Sequence, residues 1–153
     1  MTTKLIIIGG PGTGKTCLAN YFSEVSGIEV KHTDDLIVAY QWSEVSDVIA
    51  NSWMERDGPW IIEGVAAVRG LRKWLTNHQE ENDLSGITIF LANQVFVPRT
   101  KKTMAMAKGI TTIWLGIVSH LKARKIKILT TNEELNVLFN TKLSLEGDAL
   151  CTH

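Results

Sequence analysis

The chain has 153 residues, of which 44% are hydrophobic, and equal numbers of basic and acidic residues give it a formal net charge of zero. This length suits one domain with a sizeable core and leaves no room for a second. The apolar stretch from 109 to 121 is too short and polar for a bilayer span, no signal peptide precedes Lys4, and two cysteines are too few for a disulfide framework. We therefore expect a single domain over residues 1–153, loose from about residue 140, in a reduced, cytoplasmic protein without a membrane partner.

The charges are unevenly distributed along the chain. No Asp or Glu occurs from Leu84 to Asn132, whereas that segment contains eight Lys or Arg residues. The rest of the chain contains the other eight basic residues and all 16 acidic residues. Such a basic segment fits either a phosphate-rich partner or a solvated helical face. Whether residues 99–127 form one continuous face is left open by the sequence.

The first half of the chain predicts alternating strands and helices. "KLIIIGG" is a short apolar strand that glycine ends, and "GKTCLANYFSEV" continues with apolar residues at helical spacing. "IEVKH" is the second predicted strand. The next 25 residues, "DDLIVAYQWSEVSDVIANSWMERDG", predict one long helix that begins with acidic residues and ends at Gly58 and Pro59.

The second half continues the alternation. Strands are predicted at "WIIEG", "GITIFLAN" and "KIKILTT", and helices at "VAAVRGLRKWLTNHQ", "TKKTMAMAKGITTIWLGIVSHLKA" and "NEELNVLFN". Because the strands are apolar with little period-2 alternation, we expect burial on both faces. The predicted class is α/β, with a five-stranded, mostly parallel sheet flanked by helices in three layers.

A phosphate-binding loop is predicted between the first strand and the first helix. Gly9, Gly14, Lys15 and Thr16 match G-x-x-x-x-G-K-[ST], the pattern whose backbone N–H groups cradle the phosphates of a nucleoside triphosphate. The bland alternative is a glycine-rich turn needed only for packing. We expect a P-loop NTPase fold that binds ATP and Mg²⁺, although the sequence does not fix ATP against other donors. The predicted nucleotide-binding residues are Gly9, Gly10, Pro11, Gly12, Thr13, Gly14, Lys15, Thr16 and Cys17.

Catalytic roles are predicted for residues of the loop and of the second strand's end. Lys15 is expected to reach the β- and γ-phosphates, and the Thr16 hydroxyl to bind Mg²⁺. Asp34 or Asp35 is a candidate general base that accepts the proton of an acceptor hydroxyl, and Asp35 a candidate acceptor-binding residue. The alternative is that Thr33 and the two aspartates merely cap a helix.

Further candidates follow the third and fourth strands. Glu63 is a candidate ligand of Mg²⁺ or of the acceptor, or it simply ends a strand. Arg69 is a candidate clamp for an acceptor phosphate, whereas Arg72 and Lys73 are expected on a solvated helix face. Arg99, expected to act in catalysis, and Lys108, expected to bind substrate, occupy a segment where small kinases place a basic lid.

Other nucleotide-binding classes fit the sequence less well. An Asn-Lys-x-Asp element that would read guanine is absent, "ILTTNEEL" being the nearest candidate, and a motor ATPase needs a second subdomain. "GGPGTGKT" and "HTDDLI" together resemble the opening of the polynucleotide 5′-kinases of bacteriophages, within the small P-loop kinase superfamily that includes nucleotide and shikimate kinases. The resemblance covers about the first forty residues and implies that Asp34 or Asp35 is the base.

A later run is similar to other phage proteins. "WIIEGVAAVRGLRKWL" and "KGITTIW" resemble small phage-encoded P-loop proteins and the phage DNA kinases that act on 5-hydroxymethyluracil. This resemblance implies an ATP-dependent kinase that phosphorylates the hydroxymethyl group of that base in phage DNA during thymidine hypermodification, in the cytoplasm of the host cell. The acceptor, DNA containing a modified pyrimidine, would match the acid-free basic segment.

Two alternatives remain open from the sequence. One is a kinase of small nucleosides or nucleotides, which the short chain favours. The other is a non-catalytic switch whose loops change shape with ATP and ADP. The oligomeric state is not predicted.

Overall fold

A computed structural model describes residues 2–142, so most of the tail predicted to be loose lies outside the described residues. The strands are β1 (Lys4–Ile8), β2 (Val30–His32), β3 (Trp60–Glu63), β4 (Thr88–Leu91) and β5 (Lys127–Leu129). The helices are α1 (Lys15–Ser26), α2 (Asp34–Ala39), α3 (Trp42–Val48), α4 (Ala67–Asn77), α5 (Lys101–Ala123) and α6 (Asn132–Phe139). A π-helical turn, Ile49–Trp53, extends α3.

The five strands form one sheet in the order β2-β3-β1-β4-β5, and every pairing is parallel. The predicted α/β class and the five strands are confirmed, and "mostly parallel" becomes all parallel. β1 lies at the centre of the sheet, between β3 and β4. The helix after β1, α1, packs on one face of the sheet, whereas the helices after β3 and β4 pack on the other face. In parallel α/β sheets a crevice at the carboxyl end of such a strand is the usual ligand site.

Both faces of the sheet are buried, and the residues of β1 alternate between them. Ile6 and Ile8 pack in a cluster with α2, α3, α4 and α5, whereas Leu5 and Ile7 pack with Phe22 of α1 and with α6. Four of the five residues of β1 are buried, because each side of the pleat has its own helical layer. The expected three-layer arrangement is therefore confirmed.

The long helix predicted after β2 is wrong, because the chain breaks it into α2 and α3 at Tyr40 and Gln41, which adopt extended conformations. Leu36 of α2 and Val45 of α3 are buried in the same cluster. Nine residues apart on one continuous helix, they would point to opposite sides. The break lets both side chains face the sheet.

Within the described part of the chain, one helix is long and apolar enough, by length and composition alone, to cross a membrane. It is α5, whose most apolar window has a mean hydropathy of 1.2. One such helix is weak evidence for a span, and Ile110, Trp114, Ile117 and Leu121 of α5 are buried against the sheet.

A candidate phosphate-binding site at the carboxyl edge of the sheet

The predicted phosphate loop connects β1 to α1 at the carboxyl edge of the sheet. Gly12 has φ +76° and Gly14 φ +74°, left-handed conformations that L side chains rarely adopt. Gly14 is also the residue that precedes α1, and no side chain caps the amides of that helix. The loop thus combines turns that only glycine adopts readily with an uncapped helix N-terminus, the geometry that suits an anion.

Lys15 lies inside the loop. Its side chain is only 7% exposed, and its Nζ donates a hydrogen bond to the Gly10 carbonyl oxygen at 2.8 Å. Burial lowers the pKa of Lys15, while the negative charges of Glu63 and Asp34 oppose that shift and the positive charge of Arg99 adds to it. A buried ammonium without a salt-bridge partner at contact distance favours an anion beside it.

Glu63 joins the loop to β2 and β3. This carboxylate ends β3, is 2% exposed, and accepts a hydrogen bond of 3.1 Å from the Thr16 hydroxyl. The same oxygen, Oε2, also contacts Nδ1 of His32 at the end of β2. Glu63 therefore does more than end a strand: its carboxylate is positioned beside the hydroxyl predicted to bind Mg²⁺.

The two aspartates begin α2 and are both exposed. The negative charge of Asp34 raises the pKa of Lys15, so the two side chains interact electrostatically. Thr33 occupies the N-cap position of α2, as the cap alternative expects, but its side chain makes no capping hydrogen bond. Instead, the buried Thr33 hydroxyl accepts a 3.4 Å hydrogen bond from the amide of Ala66, after β3. Thr33 thus ties the segment that carries the aspartates to the segment after Glu63.

Residues 95–99 lie over the outer side of the phosphate loop. The Phe96 amide donates to the Gly12 carbonyl oxygen at 2.8 Å, and Arg99 Nε donates to the Pro11 carbonyl oxygen at 3.0 Å. Both bonds end on carbonyl oxygens of the loop. Val97 packs against Gly12, yet Phe96 and Val97 remain 42% and 58% exposed. The predicted basic lid segment is therefore in contact with the loop through Arg99.

Arg69 and Lys108 are placed differently. Arg69, in the first turn of α4, stacks its guanidinium 5.0 Å from the ring centroid of Trp42, and its Nη1 is buried without a hydrogen-bond partner. Burial lowers the pKa of Arg69, and the nearby charge of Arg72 adds to that effect. Lys108 is exposed, two residues and thus about 200° around α5 from the buried Ile110. The structure brings Lys108 onto the solvent side of the helix.

The basic segment does not form one face. Arg99 turns onto the phosphate loop, whereas Lys101, Lys108 and Lys122 share the solvent side of α5 at seven- and fourteen-residue spacings. Lys125 lies 3.9 Å from Asp83. Charge alone therefore does not indicate where a polyanion would bind.

The remaining predicted residues are distributed as follows. Arg72 and Lys73 are exposed, as expected, and Lys73 pairs with Asp47 at 3.3 Å. Cys17 occupies the first turn of α1, after Thr16. It is disulfide-bonded, which differs from the reduced state that the sequence predicted.

Sequence reasoning missed three residues of this region, and it assigned Thr33 only the role of a cap. His32 contacts Glu63, Thr33 ties β2 to the turn after β3, Trp42 stacks on Arg69, and Phe96 bonds to the loop. The adjacency of the β2 and β3 ends in a parallel sheet was a usable signal for His32. Nothing in the spacing of Trp42 or Phe96 indicates their contacts, because both depend on how distant segments pack.

Comparisons with protein-family models and with curated proteins give no match.

Proposed function

We propose that this protein has the P-loop NTPase fold and is an ATP-dependent kinase. It transfers the γ-phosphoryl group to a hydroxyl on a nucleic acid, most specifically the hydroxymethyl group of 5-hydroxymethyluracil in phage DNA. The observation that carries the proposal is the arrangement at the carboxyl end of β1: a buried Lys15 in a glycine turn, beside Glu63 and within electrostatic reach of Asp34. A phosphate cradle with a carboxylate beside it is the arrangement that phosphoryl transfer needs.

The residues of the loop fit a triphosphate. Lys15 supplies a desolvated cation, and the N-terminus of α1 has amides that no side chain caps. Arg99, held to the loop by its bond to Pro11, adds a second cation at the same edge. These groups would hold the phosphates and offset the negative charge that transfer spreads over the γ-phosphoryl oxygens.

The residues also fit Mg²⁺. The Thr16 hydroxyl and the Glu63 carboxylate are 3.1 Å apart, and Mg²⁺ in phosphoryl-transfer sites takes one or two protein oxygens and completes its shell with phosphates and water. Among residues 2–142 no group of three or more His, Cys, Asp or Glu side chains forms a metal site by itself. Thr16 and Glu63 would therefore hold the ion together with the nucleotide, and the ion would supply charge neutralisation.

Asp34 is the stronger candidate for the base. Its negative charge acts on Lys15, and its exposure leaves room for an acceptor. In the proposed reaction the carboxylate accepts the proton of the acceptor hydroxyl while the oxygen forms its bond to phosphorus and the bond to the ADP oxygen breaks. His32 and Thr33 hold the neighbouring strand end in place through Glu63 and Ala66.

The test is transfer of label from γ-labelled ATP, with Mg²⁺, to duplex DNA with and without 5-hydroxymethyluracil, and to a panel of nucleosides and mononucleotides. Label on the modified duplex alone is the expected result. Asp34→Asn should lower kcat by a factor of about 10² or more while ATP affinity is kept, because only proton acceptance is lost. Asp35→Asn is the matched control at the next residue.

Two results would overturn the proposal. Label on small acceptors only would reassign the protein to the metabolite kinases. No label on any acceptor, with ATP binding that Lys15→Ala abolishes, would indicate the nucleotide-dependent switch.

A further inference from the structure

Exposed aromatic side chains lie at the edge of the sheet that carries the phosphate loop. Among the described residues the exposed large aromatic side chains are Tyr40, Trp42 and Phe96. Phe96 lies over the loop, and Tyr40 and Trp42 occupy the break between α2 and α3, shortly after the candidate base Asp34. Exposed aromatic rings that share one edge of a domain indicate a binding surface.

Trp42 lies at this edge because α3 and α4 run side by side in the same direction. Their contacts occur in the same order along both segments: Trp42 with Arg69, Asp47 with Lys73 and, in the turn that extends α3, Asn51 with Asn77. α4 begins shortly after the carboxyl end of β3. The first turns of α3 and α4 therefore lie at the same edge as the phosphate loop.

One turn of α5 connects the phosphate loop to Arg69. Cβ of Ala107 lies 3.0 Å from the Cβ position of Gly10 in the loop, and Nη2 of Arg69 lies 3.7 Å from the Cβ position of Gly109. The Cα atoms of Ala107 and Gly109, two residues apart on a helix, are separated by about 5.5 Å. The loop and the Trp42–Arg69 pair are therefore neighbours along a single turn of α5.

The Trp42–Arg69 pair has an aromatic surface and hydrogen-bond donors that a ligand can reach. The guanidinium carbon of Arg69 lies 5.0 Å from the ring centroid on one face of Trp42, and 42% of Trp42 is exposed. Nη1 of Arg69 is buried without a partner, whereas Nε and Nη2 donate to no described residue and retain access to solvent. An aromatic ring beside an arginine with free donors suits a base and its phosphate.

We infer that Trp42 stacks on the acceptor base after this base has left the duplex, and that Arg69 contacts the phosphate beside it. Neighbouring bases cover both faces of a paired base, so a base can stack on Trp42 only once it is extruded. Enzymes that act on a base in a duplex extrude it in this way, and stacking in the protein offsets the cost of unstacking. The inference deepens the proposed function, on which it rests for the identity of the base.

The first test measures base extrusion with the full chain, without ATP, on a duplex that has 2-aminopurine next to 5-hydroxymethyluracil. The emission of 2-aminopurine should rise severalfold on binding, because its neighbour leaves the stack. Trp42→Ala should weaken duplex binding about tenfold or more and abolish the rise, whereas Trp42→Phe should keep most of both. Leu115→Ala removes an exposed apolar side chain of α5 and, as the control, should change neither.

The second test concerns the phosphate contact. Arg69→Gln should lower the slope of log K against log salt by about 1, because one phosphate contact is lost. Arg72→Gln removes the same charge from an exposed side chain one turn further along α4, and it should change duplex binding at most about twofold.

The third test measures phosphoryl transfer. A duplex whose modified base faces an abasic site should give a kcat/KM about tenfold or more above that of the paired duplex, because extrusion then breaks no base pair. Trp42→Ala should lower kcat/KM for the paired duplex about tenfold or more and leave KM for ATP unchanged.

The outcomes separate this inference from the kinase proposal. Unchanged 2-aminopurine emission with the wild-type protein, equal duplex binding by Trp42→Ala and wild type, or equal losses in Arg69→Gln and Arg72→Gln would each overturn the inference. Emission that rises only when Trp42 is present, with no phosphoryl transfer to any acceptor, would support base extrusion and remove the kinase. Transfer to the modified duplex that Trp42→Ala does not slow would keep the kinase and remove the role of Trp42.

Discussion

Replacing Gly64 by alanine tests the junction that holds Glu63 beside the segment carrying Asp34. Gly64 follows Glu63 directly and has φ +138°, a conformation that is essentially restricted to glycine. A Cβ there would lie 1.8 Å from Oγ1 and 2.9 Å from Cβ of Thr33, which is fully buried. The substitution therefore combines backbone strain with a clash that the core cannot relieve cheaply.

Each contribution has a known scale. Forcing an L residue into such a conformation costs about 1–3 kcal/mol, and overpacking a buried position costs about 1–3 kcal/mol more. We expect Gly64→Ala to lower the free energy of unfolding by about 4 kcal/mol. Gly27→Ala is the matched control, because Gly27 has φ +74° and no atom within 4 Å of its Cβ position. It should cost only about 1–2 kcal/mol.

The measurement is urea unfolding of the two glycine variants and of Gly64→Ala in a Thr33→Ala background. Removing the threonine hydroxyl and methyl relieves most of the clash, so the cost of Gly64→Ala should fall by about 1–3 kcal/mol in that background. Equal costs for Gly64→Ala and Gly27→Ala, or no relief by Thr33→Ala, would refute the reasoning. In folded Gly64→Ala protein, labelled-phosphate transfer should also fall, since both carboxylate-bearing segments move.

Two further predictions concern single side chains. Glu63→Gln keeps the side-chain volume and an acceptor for the Thr16 hydroxyl but removes the negative charge. The Mg²⁺ concentration for half-maximal phosphoryl transfer should therefore rise about tenfold or more. An unchanged Mg²⁺ titration would contradict the role assigned to Glu63. The pKa of His78 is raised because hydrogen bonds from its ring to Glu55 and Glu81 outweigh the lowering effect of its burial. The stabilisation by these hydrogen bonds is then fully present below the pKa of His78 in the unfolded chain, about 6.5, and is lost as the pH rises through its pKa in the folded protein. His78→Gln should therefore lower the free energy of unfolding in urea at pH 6 and change it little at pH 9.

Most of the elements, and the glycine turn between β1 and α1, were predictable from local sequence. Three local features have the predicted outcome in the structure: the apolar run that forms β1, the glycines at 12 and 14, and the helical spacing of apolar residues within α4 and α5. Each of them depends on neighbours within a few residues. The parallel sheet was predicted because its strands are apolar on both faces, and two such faces need a helical layer on each side to bury them.

The long helix after β2 was mispredicted because helical periodicity takes no account of where the sheet lies. Leu36 and Val45 both need to reach one face, and only the assembled core shows that a continuous helix prevents it. The same holds for Thr33, whose position before two acids indicates a cap but whose hydroxyl lies against Ala66. Local sequence indicates which conformations and hydrogen bonds a residue favours, and the residues packed around it determine which of these the folded protein contains.

The sequence by itself determined the class of the fold, its five strands and the glycine turn between β1 and α1, because these depend on short-range conformation and on hydrophobic periodicity. Only the tertiary structure decided which charges meet. It brought Glu63 to Thr16 across 47 positions and Arg99 to Pro11 across 88, and it stacked Arg69 on Trp42. Such contacts arise from strand order and helix packing, which bring together side chains whose separation along the chain carries no signal of their proximity.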